Sequence, residues 1–263
     1  MRMPTILRLL PPPLRQSVAF RFYADRHDNW RPLYTSAQLE YCRRVSMYDL
    51  VPGDVVSRSI AFSGFYELSL SREIVRLAHE GGLLVDVGAN MGYFSLLWAG
   101  THTNNTAIAF EAAPRNIKLI ENNVGRNGFS GRITLVPKAV GDRKGEVLFD
   151  VGPADQTGWG GITVDGAGSI VVDAVRLDDV LVDEEIAVLK IDVEGADTFV
   201  LKGCERLLRS KRIRTIFFEQ NAQRMTELGV GHGEALSYLK ELGYVCTPLA
   251  RSADEWTASP EAR

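Results

Sequence analysis

Residues 85–95 read VDVGANMGYFS. An apolar run, LLVDV at 83–87, leads into a loop with glycines at 88 and 92. The loop opens into GYFSLLWA, whose composition is helical. A short continuous apolar run is the pattern of a strand buried on both faces. Strand, tight glycine loop and helix together predict the ligand-binding turn of an α/β unit. The loop departs from the dinucleotide pattern G-x-G-x-x-G, because ANM separates its two glycines. The turn survives that loss: the short amide side chain of Asn90 tolerates a positive φ. No G-K-[ST] ending follows, so a triphosphate loop is not expected.

Asp86, at the entrance of the loop, separates the remaining ligands by charge. A pyrophosphate would be repelled there. The sulfonium and α-ammonium groups of S-adenosylmethionine would be attracted, and its carboxylate would be met by backbone N–H groups of the loop and helix. Glu111 follows Gly92 by 19 residues, at the end of the next apolar run. An acidic side chain there accepts hydrogen bonds from both ribose hydroxyls. Together Asp86 and Glu111 favour S-adenosylmethionine over NAD, and an NAD-linked oxidoreductase is the rival reading. A non-catalytic S-adenosylmethionine-binding module is the second rival.

Working outward, strands are expected at 106–112, 133–140, 187–193 and 214–220, with a closing strand in YVCTPLA. Helices are expected over PRNIKLIENNVGRNG, over ADTFVLKGCERLLRS and over GEALSYLKELGY. Pro114 suits a first helical turn, and Phe199, Val200, Cys204, Leu207 and Leu208 share one helical face. Alternating strands and helices predict a doubly wound, mostly parallel α/β sheet of Rossmann-like type. Between the third and fourth strands, GEVLFDV and GSIVVDAVRLDDVL read as a β-ribbon around the tip QTGWGGI, inserted into the order of the sheet. In a parallel sheet the ligand crevice lies outside the carboxyl ends of the strands, so the loops after residues 87, 111, 140, 193 and 219 share one face.

LKIDVEGAD places Asp192 and Glu194 two residues apart at a strand end, and Glu219 ends the neighbouring strand. Methyl transfer to a hydroxyl requires removal of its proton, which a buried carboxylate of raised pKa performs. Asp192 and Glu194 are the candidate bases. Pairing with Lys190, Lys202 or Arg214, or capping of the next helix, is the structural alternative. A divalent metal held by these oxygens is possible chemistry but not the favoured reading. His79 and His102 have no evident partner, and His27 or His232 near the crevice is a minor alternative base. Trp159 at the ribbon tip is a candidate platform for a sugar ring. The motif [DN]PP[YF] of amino-group methyltransferases and a Pro-Cys for ring-carbon attack are both missing, which favours an oxygen acceptor.

The chain has 263 residues, 45% hydrophobic and 24% charged, with a formal net charge of -3. That suits one large domain with an arm, and gives no pull toward nucleic acid or anionic membrane. Three scattered cysteines predict neither a disulfide framework nor a zinc site, and fit a reducing, cytoplasmic setting. No apolar run is long enough to span a bilayer, and no signal peptide is expected. Residues 1–60, rich in arginine and aromatic residues, are expected to form an N-terminal arm or substrate cap, with residues 61–263 as the main domain.

LVDVGANMGYFSLLWA, AFEAAPRNIKLIENNV, KAVGD, VRLDDVL, LKIDVEGADTFVLKG and FFEQN, with GFYELSLSREIVRLA before them, resemble the FkbM-type S-adenosylmethionine-dependent methyltransferases over about residues 60 to 245. Asp197 stands where that family typically has Glu. The resemblance implies a class I methyltransferase fold and O-methylation of sugar or polyketide-like hydroxyls. It implies a cofactor loop of Asp86, Gly88, Asn90 and Gly92, and a ribose carboxylate in Glu111. Ala139 and Val140 would lie beside the adenine, Glu67 at the methionine end, and Asp192 and Glu194 near the acceptor.

Overall fold

The computed structural model describes Leu7 and residues 9–23, 31–164, 166, 169–249 and 254–261. The N-terminal segment forms α1 (Pro12–Tyr23), α2 (Arg31–Thr35), a hairpin of β1 (Ser36–Gln38) and β2 (Ser46–Tyr48), and α3 (Val55–Ser63). It docks through apolar side chains: Leu33, Leu39, Val45 and Met47 share a core with Leu84, Leu97 and Trp98. Arg15 is buried within it and donates to Glu40 Oε2 at 2.6 Å and to the Ser63 carbonyl at 3.0 Å. A guanidinium survives burial only with such partners. Asp54 caps α3 through Ser57 N at 2.7 Å, and its other oxygen accepts from Thr157 N at 2.8 Å. One carboxylate thus ties the arm to the ribbon tip.

The main domain continues with α4 (Leu68–Ala78), β3 (Leu83–Val87), α5 (Tyr93–Thr101), β4 (Thr106–Phe110), α6 (Pro114–Arg126) and β5 (Ile133–Val136). The chain then leaves for β6 (Ala139–Val140), β7 (Gly145–Asp150), β8 (Gly161–Ile162), β9 (Ile170–Val175) and α7 (Leu177–Val180). It returns through β10 (Ile186–Ile191), α8 (Asp197–Lys202), α9 (Glu205–Arg209), β11 (Ile213–Glu219), α10 (Ala222–Glu227), α11 (Glu234–Glu241), β12 (Tyr244–Pro248) and β13 (Glu255–Pro260). Seven strands make the central sheet in the order β12-β13-β11-β10-β3-β4-β5. The five strands from β11 to β5 run parallel, and β13 is antiparallel to both its neighbours. This is the class I methyltransferase, Rossmann-like architecture. Side chains alternate between its faces, as the two-residue period of a strand requires. Leu84 and Val188 pack under the arm and α5, while Val85, Val87 and Leu189 pack against α8, α9 and α11.

Four details differ from the sequence expectation. The run 133–140 is two strands, because Pro137 has no N–H to give a ladder, and Ala139 and Val140 pair with β9 instead. The ribbon of β7 and β9 joins β6 and β8 in a sheet of its own, outside the order of the central one. The helix expected over 196–210 breaks at Gly203 and Cys204, where a Cβ on Gly203 would overlap the Gly141 carbonyl oxygen. Finally, β13 was not expected; it is inserted between β11 and β12.

Candidate functional site

The order of the central sheet reverses between β3 and β10, and the loops that follow those strands bound two adjoining cavities. The first, about 580 Å³ including its open mouth, is walled by Gly88, Glu111, Ala139, Val140, Phe149 and Ile162, among others. The second, about 1310 Å³ including its open mouth, is lined by Tyr66, Glu67, Trp159, Asp192, Glu194 and Glu219, among others. Asn90, Gly158 and Asp192 line both, so the cavities meet there. This is the switch-point crevice of a doubly wound sheet.

The glycine loop turns as its sequence suggests: Gly88, Asn90 and Gly92 have φ of 73, 53 and 85°. Gly88 also permits a close approach, since a Cβ there would overlap the Asp192 carbonyl oxygen. Asp192 N in turn donates to the Val87 carbonyl at 3.1 Å. Among the described residues, five that are not glycine have positive φ, and three of them, Glu67, Asn90 and Glu194, line the second cavity. Each costs on the order of 1 kcal/mol, and such strain collects at functional sites.

Asp86 does not reach either cavity. It shares a face of β3 with Leu84, which turns it under the first turn of α5. There it is fully buried, and Oδ2 accepts from Ser95 N at 3.2 Å and Ser95 Oγ at 2.7 Å. Its other oxygen lies 3.6 Å from Lys190 Nζ. Lys190, also buried, is 3.2 Å from Asp192 Oδ2 and donates to the Gly88 carbonyl at 3.1 Å. Burial works to lower its pKa, but Asp192, Asp86 and Glu67 overcome this and the net direction is upward. Asp86 is therefore coupled to the cavity through Lys190, a residue that the sequence marked only as a possible ion-pair partner.

Glu111 ends β4 and stands on the wall of the first cavity. Its Oε2 accepts from Asn90 N at 2.8 Å; its Oε1 accepts from Ala112 N at 2.9 Å and Ala113 N at 2.8 Å. The Asn116 side chain is a further hydrogen-bond donor to this carboxylate, so the chain itself supplies about as many donors as a carboxylate accepts. Burial pushes the Glu111 carboxyl up to about 7 against the pull of these amides. Ala139 and Val140 line the same cavity, opposite the loop.

The second cavity is acidic. Burial, aided by Asp192, pushes Glu67 up to about 8, Glu194 up to about 7 and Glu219 up to about 8. Glu194 Oε2 accepts from Asn221 Nδ2 at 3.2 Å. Asp197 stands behind the wall, where its Oδ1 accepts from Glu219 N at 2.9 Å and burial raises it to about 7. Trp159 is 53% exposed at the mouth, and its carbonyl accepts from Arg224 Nη2 at 3.1 Å. The loop carrying it is held by α6: Asn116 Nδ2 donates to the Thr157 carbonyl at 2.9 Å and Arg115 Nη2 to the Val151 carbonyl at 2.9 Å. Neither residue was singled out from sequence, because polar groups in a first helical turn read as ordinary solvated positions.

His232 is exposed and lines neither cavity, and His27 lies outside the described residues. No three His, Cys, Asp or Glu side chains among the described residues converge as a metal set. No helix among them is long and apolar enough to cross a membrane.

Residues 86–246, well over half of the chain, match the family model described as the Methyltransferase FkbM domain. The hexuronic acid methyltransferase AglP of Haloferax volcanii is 28% identical over 154 residues, covering 55% of this chain and 60% of that protein. Methyltransferase sdnD of Sordaria araneosa is 30% identical over 161 residues, covering 46% and 60%. The chain thus spans about 60% of the length of these curated relatives. Solved structures with a similar course include precorrin-6y C5,15-methyltransferase of Geobacter metallireducens (14% identical, covering 75% of this chain and 90% of that one, TM-score 0.44). TrmK of M. capricolum in complex with S-adenosyl-homocysteine is another (11% identical, covering 72% and 66%, TM-score 0.44).

Proposed function

This chain belongs to the FkbM methyltransferase family, and from that premise we propose that it transfers a methyl group from S-adenosylmethionine to a hydroxyl of a sugar or natural-product acceptor. The observation that carries the reading is the junction of the two cavities, where Asp192 and Asn90 line both. The first cavity fits an adenosine. Glu111 stands on its wall as an acceptor for a ribose hydroxyl, and Val140, Phe149 and Ile162 give an apolar slot for a planar base. The acidic side of the junction suits a sulfonium and an ammonium, with Glu67 at the methionine end. The name of the Haloferax relative supports a sugar-like acceptor.

Bound there, S-adenosylmethionine would supply a methyl group already activated for displacement. The chain positions the acceptor and takes its proton. Glu194 is the base in this account: a carboxyl raised to about 7 is matched to proton transfer near neutral pH, and Asn221 orients it. Asp192, paired with Lys190 at 3.2 Å, keeps negative charge at the junction. Trp159, exposed at the mouth, offers a face on which a sugar ring stacks. The arm contributes Asp54, Val55 and Val56 to the same wall and acts as its cap. Asp86, fully buried, holds Lys190 in place.

The test is kinetic. With an acceptor in hand, identified by a product mass gain of one methyl, Glu194→Gln lowers kcat by about 100-fold or more. The wild-type rate rises with pH through about 7, as the base ionises. A Glu194→Gln enzyme with the wild-type rate rules out this base.

A further inference from the structure

Thr157, in the ribbon tip, and Asn116, in the first turn of α6, both line the first cavity, and each is only 2% exposed. The functional reading gives neither side chain a part. Thr157 Oγ1 and Asn116 Oδ1 are buried without a hydrogen-bond partner among the described residues. The other polar groups of both residues are engaged. Thr157 N donates to Asp54 Oδ1 at 2.8 Å, and its carbonyl accepts from Asn116 Nδ2 at 2.9 Å. The Asn116 side chain also hydrogen-bonds Glu111. An orphaned buried oxygen destabilises the fold that carries it, and a ligand that supplies the missing partner recovers the loss.

The surroundings of the two oxygens identify the ligand atoms. Asn116 is tied to Glu111, and a Cβ on Gly158, next to Thr157, would stand 3.5 Å from Asn90 Nδ2. The backbone N–H of Asn90 in turn donates to Glu111. Both oxygens therefore lie at the Glu111 end of the cavity, where the ribose sits in the functional reading. Glu111 already receives about as many donors as a carboxylate accepts, so it does not serve both ribose hydroxyls alone. An amide oxygen only accepts, and a threonine hydroxyl both donates and accepts; together they match a diol.

Resting on the methyltransferase reading, we propose that Thr157 Oγ1 and Asn116 Oδ1 bind the ribose diol of S-adenosylmethionine beside Glu111, which makes the ribbon tip part of the cofactor site. Asn116 Oδ1 accepts from one hydroxyl, and Thr157 Oγ1 exchanges a hydrogen bond with the other. Asp54 holds Thr157 in place, so the N-terminal arm shares in setting cofactor affinity. Two residues further on, Trp159 lines the second cavity, so one loop carries a cofactor contact and an acceptor contact.

The experiment titrates the full chain calorimetrically with S-adenosyl-homocysteine and with its two monodeoxyribose analogues. Thr157→Val keeps the shape and removes the hydroxyl. It is expected to weaken S-adenosyl-homocysteine by about fivefold to tenfold, whereas Thr157→Ser stays within about twofold of wild type. One of the two deoxy analogues, weaker than its parent on wild type, binds Thr157→Val as tightly as the parent does. Melting of the ligand-free chain separates this role from a packing one. Thr157→Val removes an orphaned buried hydroxyl, so its free form melts no lower than wild type. Unchanged affinity in Thr157→Val overturns the proposal. So does a lost affinity accompanied by a lowered melting temperature, a loss that Thr157→Ser shares, or deoxy analogues discriminated equally by wild type and Thr157→Val. The wild-type titration with S-adenosyl-homocysteine is a separate arm. Failure there removes the methyltransferase reading itself, whereas binding there with an indifferent Thr157→Val removes only this inference.

Discussion

Lys190 holds together the loop after β3 and the end of β10, and replacing it by methionine measures how much rests on that cation. The ammonium lies 3.6 Å from Asp86 and 3.2 Å from Asp192. In Lys190→Met the Asp192 side chain, 30% exposed, turns to solvent at little cost, but Asp86 is fully enclosed. Removing one partner of a buried pair costs about 3–5 kcal/mol, because the other charge is left uncompensated. Urea unfolding should therefore show a loss of about 3–5 kcal/mol at pH 7. The double variant Asp86→Asn/Lys190→Met should recover at least about 1 kcal/mol of it, which keeps the test open if the single variant folds poorly. A Lys190→Met chain within about 0.5 kcal/mol of wild type at pH 7, or a double variant no better than the single, would refute the reasoning.

Glu111→Ala removes the carboxylate that organises three backbone amides on the wall of the first cavity. It should weaken S-adenosyl-homocysteine binding by at least about tenfold, or about 1.4 kcal/mol, by calorimetry; unchanged affinity would remove the ribose assignment. Stability should fall as pH rises from 5 to 8. Glu67 and Glu219 are raised to about 8, and Glu111, Glu194 and Asp197 to about 7. A raised carboxyl binds its proton more tightly when folded, so its contribution is complete below the ordinary carboxylate range and is lost as pH passes the folded value. Melting temperatures that hold steady or climb across that window would contradict these values.

Much of the fold was legible because its signals are local. The apolar run 83–87, the loop glycines and the amphipathic helices each announce themselves within a few residues, and Asn90 takes the positive φ that its side chain allows. What escaped depends on partners far along the chain. Pro137 looks like any residue in an apolar run until the ladder needs its missing N–H. Position 203 takes glycine because the carbonyl of Gly141, more than sixty positions earlier, leaves no room for a Cβ. Residues 255–260 form a strand only because β11 and β12 leave a slot between them. At the site, sequence gave the carboxylates but not their aim. Asp86 alternates onto the face under α5, and Lys190, which the sequence marked only as a possible partner, is the buried cation that links Asp86 to Asp192.

The most direct test of the central claim is a calorimetric titration of the full chain with S-adenosyl-homocysteine and, in parallel, with NAD. The account predicts one saturable site for S-adenosyl-homocysteine and no binding of NAD. Saturable binding of NAD with none of S-adenosyl-homocysteine would contradict it.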